Sequence, residues 1–147
     1  MTIEEKKEFL NQYRRLDQEI RLELEELAKW KALSCKITPT YSHTKSSGNV
    51  RDRVQDAYDK IERLSEQINS DIDQMVELRE AIVQCIEQIE EYSLRALLKY
   101  HYINQMSLDE IAEKMNYCYR QVTRLHRKAL QQLQIPQEVP FHQSGVG

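Results

Sequence analysis

Residues 50–92 read VRDRVQDAYDKIERLSEQINSDIDQMVELREAIVQCIEQIEEY. Val54, Ile61, Ile68, Met75, Ile82 and Ile89 recur every seven residues, and Ala57, Leu64, Asp71, Leu78, Cys85 and Tyr92 form a second row three residues on. A seven-residue apolar repeat held this long is the periodicity of helices in a left-handed coiled coil. Asp71 interrupts the second row, with Ile72 beside it to compensate. A helix break is expected near Tyr92-Ser93, where Ser93 can cap a new helix from Leu94.

Toward the N-terminus, Phe9, Tyr13, Leu16, Ile20, Glu23, Leu27 and Trp30 keep strict 4-3 spacing. The one acidic member is Glu23, with Leu24 placed to fill the seam beside it. The spacing predicts an amphipathic helix over about 3–33, close to 45 Å long at 1.5 Å per residue. Between the two helical stretches, 34–49 holds Pro39, Gly48 and Ser or Thr at 34, 38, 40, 42, 44, 46 and 47, which reads as a linker. Neither apolar stripe is stable in water, so the first helix is expected to fold back on the second. The longer second stripe then leaves two options: a hairpin that also self-associates as a homodimer, or a purely intramolecular one. Glu23 and Asp71 interrupt apolar seams, either as register-setting polar residues or as locally wet positions.

The rest of the composition agrees with an all-α chain. Three Gly and three Pro in 147 residues are too few for the turns of a β-sandwich or for phosphate-binding glycine loops. No apolar run approaches the roughly 20 residues of a membrane span. The N-terminus shows no apolar signal segment. Three widely spaced cysteines suit a reducing compartment, so a cytoplasmic location is expected. Charge is unevenly spread. Residues 1–93 hold 14 Lys+Arg against 20 Asp+Glu, whereas 94–135 hold 7 against 3. An acidic scaffold ahead of a basic segment is compatible with a nucleic-acid-binding end.

That basic segment has its own pattern. Leu94, Leu97, Leu98, Tyr102 and Ile103 form a short apolar face, and Asn104-Gln105-Met106 reads as a turn. Ser107-Leu108-Asp109-Glu110 is a capping box ahead of a short helix with Leu108, Ile111, Ala112 and Met115 on one face. Asn116-Tyr117-Cys118 is a three-residue connection. A second helix is expected over 119–133, burying Val122, Leu125, Ala129 and Leu133, with Leu130 flanking and Pro136 marking the stop. Two short helices around a tight turn, with the small Ala112 at their crossing and Tyr117 filling the corner, form a helix-turn-helix pattern. The outer face of the second helix reads Tyr119, Arg120, Thr123, Arg124, Arg127 and Lys128, with no acidic residue from Tyr119 to Gln134.

The stretch 107–136 resembles region 4 of bacterial sigma factors, which reads the −35 promoter element. The match is gap-free and rests on Ser107-Leu108-Asp109-Glu110-Ile111-Ala112, Val122, Ala129-Leu130, Leu133 and Pro136, with Arg95, Leu98, Tyr102 and Ile103 similar to the region's preceding helices. With the long helices in front, the whole chain looks like small phage- or prophage-encoded proteins of sigma-region-4 type, several of which are late transcription regulators. The expected fold is all-α: a helical hairpin or coiled coil over 1–93, a compact helix-turn-helix domain over 94–135, and a disordered tail over 136–147. It departs from primary sigma factors where an Arg-Glu pair opens the recognition helix. Here Tyr119-Arg120 stand in its place and Thr123-Arg124 follow, so an ordinary −35 hexamer is not the expected target. Nothing resembles sigma region 2.

The expected function is sequence-specific binding of double-stranded DNA, with helix 119–133 in the major groove. Arg120 and Arg124 are candidates for guanine edges, and Tyr119 and Thr123 for a thymine methyl or a phosphate. Arg127 and Lys128 are candidates for phosphates, as are Ser107 and Lys114 from the preceding helix. The alternatives are solvated arginines on a surface helix, Ser107 as a cap alone, and Tyr102 and Tyr117 as core rather than base-stacking residues. Two other readings stand beside the first: a small-terminase-like DNA-packaging subunit, and an adaptor that docks on RNA polymerase or another protein without touching DNA. No G-x-S-x-G, H-E-x-x-H or P-loop is present. His43, His101, His126 and His142 lack metal-ligand spacing. No enzyme activity, metal or cofactor is expected.

Overall fold

In a computed structural model, residues 1–36 and 47–137 are described, with side chains from 51 onward in the second stretch. Among them the chain is all-α. Helix α1 spans Ile3–Lys36, α2 Ser47–Glu87, α3 Tyr92–Leu98, α4 Leu108–Met115 and α5 Tyr119–Gln132, with a π-helical turn over Lys99–Ile103 after α3. The first helix persists three residues past its expected end at Leu33. Most of the expected linker, and most of the tail from 138 onward, lie outside the described residues.

The chain divides into two compact units, residues 17–74 and residues 1–16 with 75–147. In the first, Ile20, Ala57, Ile68 and Asp71 are buried. The Lys60 ammonium lies over the Trp30 ring at 5.9 Å, and the Glu23 carboxyl faces Asp71. Partners that rise along one helix fall along the other, so these segments of α1 and α2 run antiparallel. The expected hairpin packing is therefore present here. Leu24 does not fill the seam beside Glu23; it is 46% exposed, and Leu22 is 65% exposed.

The second unit is built around a continuous core. Phe9 and Leu10 of α1, Leu78, Ile82, Cys85 and Ile86 of α2, and Leu94, Leu97 and Leu98 of α3 join one cluster with Ile111, Val122, Ala129, Leu130 and Leu133. Each fully buried leucine here contributes about 1.5–3 kcal/mol relative to exposure. The second heptad row ends at Cys85. Tyr92 is 74% exposed, because α2 stops at Glu87 and the chain changes direction before it. Helix α3 then starts at Tyr92, with Glu91 rather than Ser93 as its N-cap.

Arg95 stabilises that corner. Its Nη1 donates to the carbonyls of Ile89 at 2.6 Å and Glu90 at 2.7 Å. These carbonyls lie just beyond the end of α2, where no further helical turn supplies donors. The expected apolar face from Leu94 to Ile103 is present, but its second half is wound as the π-turn, closed by Asn104 N–H donating to Lys99 O at 2.9 Å.

Candidate nucleic-acid interface

Helix α4 opens with the expected capping box. The Glu110 N–H donates to Ser107 Oγ at 3.2 Å, and the Ser107 N–H donates to Glu110 Oε1 at 3.3 Å. The Ser107 hydroxyl also donates to Glu110 Oε1 at 3.0 Å. Helix α4 ends at Asn116, whose φ of 59° and ψ of 39° are left-handed. The Tyr117 N–H donates to Ala112 O at 2.9 Å and the Asn116 N–H to Glu113 O at 3.3 Å. This pair of bonds is a Schellman motif, with asparagine in the place glycine usually takes. It turns the chain within three residues, and α5 begins at Tyr119 with Cys118 as N-cap. Ala112 is buried and Tyr117 packs partly buried against the core, as the corner requires.

Helix α5 divides cleanly by side. Val122, Ala129 and Leu130 are buried, and Leu125 is half-buried. Tyr119, Arg120, Arg124, Arg127 and Lys128 are exposed. Thr123 is half-buried, and its hydroxyl donates back to Arg120 O at 2.8 Å.

The seven basic residues of 94–135 fall into two groups. Arg95 is committed to the α2 corner. Lys99 is paired with Glu87. The Lys114 ammonium sits over the Tyr100 ring at 5.2 Å. Lys128, expected beside Arg127 as a phosphate contact, pairs with Glu91 Oε1 at 2.9 Å. The remaining three, Arg120, Arg124 and Arg127, make no side-chain ion pair or hydrogen bond among the described residues. Their positions, four and then three apart, put them on one stripe of α5. Like charges at this spacing disfavour the helix that carries them. The structure thus brings together three of the eight expected site residues as unpaired cations, places Tyr119 and Thr123 beside them, and gives Ser107, Lys114 and Lys128 local partners.

Behind α5 lies a polar group whose members the sequence offers only as core, base-stacking or metal-ligating candidates. Tyr102 Oη and His126 Nε2 are 2.8 Å apart, and His101 Nδ1 is 2.8 Å from Met106 O. The two imidazole rings meet edge to face at 5.2 Å. Burial holds the His126 pKa down to about 4, with the neighbouring His101 and Lys7 adding to the effect. Burial likewise lowers that of His101 and raises the Tyr102 phenol to about 12. These groups are neutral near pH 7 and serve as packed, hydrogen-bonded support for α5. No cluster of three or more metal-ligating side chains occurs among the described residues. No helix among them is long and apolar enough to cross a membrane.

A family model described as "Protein of unknown function (DUF1492)" matches residues 36–134, about two thirds of the chain, and the chain belongs to that family. No curated protein and no solved structure matches it.

Proposed function

We propose that this chain binds double-stranded DNA sequence-specifically through α5 and acts as a transcription regulator of the sigma-region-4-like, phage or prophage type. The observation that carries the proposal is the sorting of cations. Four of the seven basic side chains in 94–135 have partners within the fold, while Arg120, Arg124 and Arg127 form an unpaired stripe on the exposed face of the second helix of a helix-turn-helix. A polyanion relieves the repulsion along that stripe, and a guanidinium matches the guanine edge bidentately. The resemblance of 107–136 to sigma region 4 supports the same orientation.

A homodimer is part of this proposal. Leu22, Leu24, Leu33 and Tyr58 stay exposed on the 17–74 unit, and a second copy covers apolar surface of this kind. Two linked recognition helices gain avidity over one short contact.

The test is selection of duplexes from a random pool by the full chain, followed by affinity against salt and mass in solution. The proposal expects an enriched sequence, a log–log salt slope of about −3 or steeper, and a dimer. No enrichment with salt-insensitive binding overturns it in favour of a protein-docking adaptor. A ring of about eight or more subunits overturns it in favour of DNA packaging.

A further inference from the structure

Helix α1 reaches the flank of α5 at its far end. The Lys6 ammonium donates to Leu130 O at 2.9 Å and Gln131 O at 3.3 Å, carbonyls of the last turn of α5. Cations are favoured at a helix C-terminus, where carbonyls lack intrahelical donors. This contact fixes the first turns of α1 against α5. The next residue, Lys7, then borders a recess of about 390 Å³ lined by Ile3, Glu4, Thr123, His126, Arg127 and Gln131, with Leu130 at its base. Thr123, Arg127 and Gln131 are four apart and form one edge of α5, so Lys7 shares this recess with Arg127 of the arginine stripe.

The charge in this recess is predominantly positive. Lys7 and Arg127 are its cations, and His126 is neutral near pH 7. Glu4 is its carboxylate and reaches Lys7 only at 3.8 Å, with the Glu4 side chain 84% exposed. The Lys7 side chain is 39% exposed, and an exposed pair as loose as the one with Glu4 does little to hold it from a phosphate. A helix lying in the major groove has the two phosphate backbones along its flanks. The Thr123–Arg127–Gln131 edge is such a flank.

We propose that Lys7 of α1 and Arg127 of α5 together hold one backbone phosphate of the bound duplex, making the first helix part of the DNA interface. This rests on the DNA-binding reading above. It adds a contact from outside the helix-turn-helix and outside the residues that the family model matches.

The experiment compares the full chain with Lys7→Gln and Lys7→Arg on two duplexes, one selected by the chain from a random pool and one scrambled. Affinity is measured across a salt series, with helicity checked by circular dichroism. Lys7→Gln is expected to weaken both duplexes by the same factor and to reduce the salt slope, by up to about 0.9, the value of one phosphate contact. Lys7→Arg is expected to restore the parent slope. A Lys7→Gln slope equal to the parent's overturns the shared-phosphate contact and leaves the α5 reading intact. A parent that binds neither duplex overturns both.

Discussion

Glu23 of α1 and Asp71 of α2 face each other in the seam between antiparallel helices. They are the two positions where the apolar pattern of each helix is interrupted by an acid. Asp71 is 7% exposed and accepts from Gln67 Nε2 at 3.0 Å. Glu23 Oε2 is buried and has no hydrogen-bond donor. Burial, the Asp71 carboxyl and the nearby Glu19 together raise the Glu23 pKa to about 7. Protonation of the Glu23 carboxyl removes the repulsion between the two acids.

The hairpin is therefore expected to weaken with rising pH. A carboxyl whose folded pKa lies above its unfolded value favours the folded state while neutral. That contribution is complete below about 4.5 and lost as pH rises through about 7. Thermal unfolding followed by circular dichroism should show a lower midpoint at about pH 8 than at about pH 5. Glu23→Gln should flatten that difference and raise the midpoint at the higher pH. A parent and variant that fall in parallel would remove Glu23 as the cause.

Leu10 is wholly buried in the cluster that also holds Leu97, Ile111 and Leu130. Leu10→Ala should cost about 2–5 kcal/mol in denaturant unfolding, the range for a leucine deleted from a packed core. A cost below about 1 kcal/mol would mean that the first turns of α1 do not complete this core.

Asn116 holds the left-handed corner between α4 and α5. Asn116→Ala should destabilise by about 1–2 kcal/mol, because a Cβ is disfavoured at this φ and alanine lacks the local hydrogen bonding of asparagine. Asn116→Gly should be tolerated. Equal stability of the two variants in urea melts would contradict the corner geometry.

Arg95 separates structural cations from those proposed to contact DNA. Its guanidinium donates to two backbone carbonyls. Arg95→Met should lose about 1–3 kcal/mol of stability, the scale of charged hydrogen bonds, while duplex affinity under folding conditions stays at the parent's value. A loss of affinity without a loss of stability would reverse its assignment.

The helices and the turn were legible in the sequence because their causes are local. The heptads of α2, the 4-3 spacing of α1, the Ser107–Glu110 box and the apolar stripe of α5 each reside within a few turns of chain. What could not be read depended on long-range partners. Periodicity does not reveal that Phe9 and Leu10 enter the same core as Leu130, nor that Lys6 caps the end of α5. It placed Tyr92 in a heptad row, although the chain has already turned there. It placed Leu24 in a seam that the Glu23–Asp71 pair occupies instead. The basic face of α5 was visible, but its reduction to three unpaired arginines was not. That depended on Glu91 lying within reach of Lys128. The π-turn after α3 has no sequence signal that the apolar pattern distinguishes from ordinary helix.

The outward arginines of α5 are proposed to read a duplex. The most direct test is the affinity of the Arg120→Ala, Arg124→Ala double variant for a duplex selected by the parent, with helicity measured on the same samples. Binding is expected to be abolished at unchanged helicity. Parent-like binding by the folded double variant would contradict it.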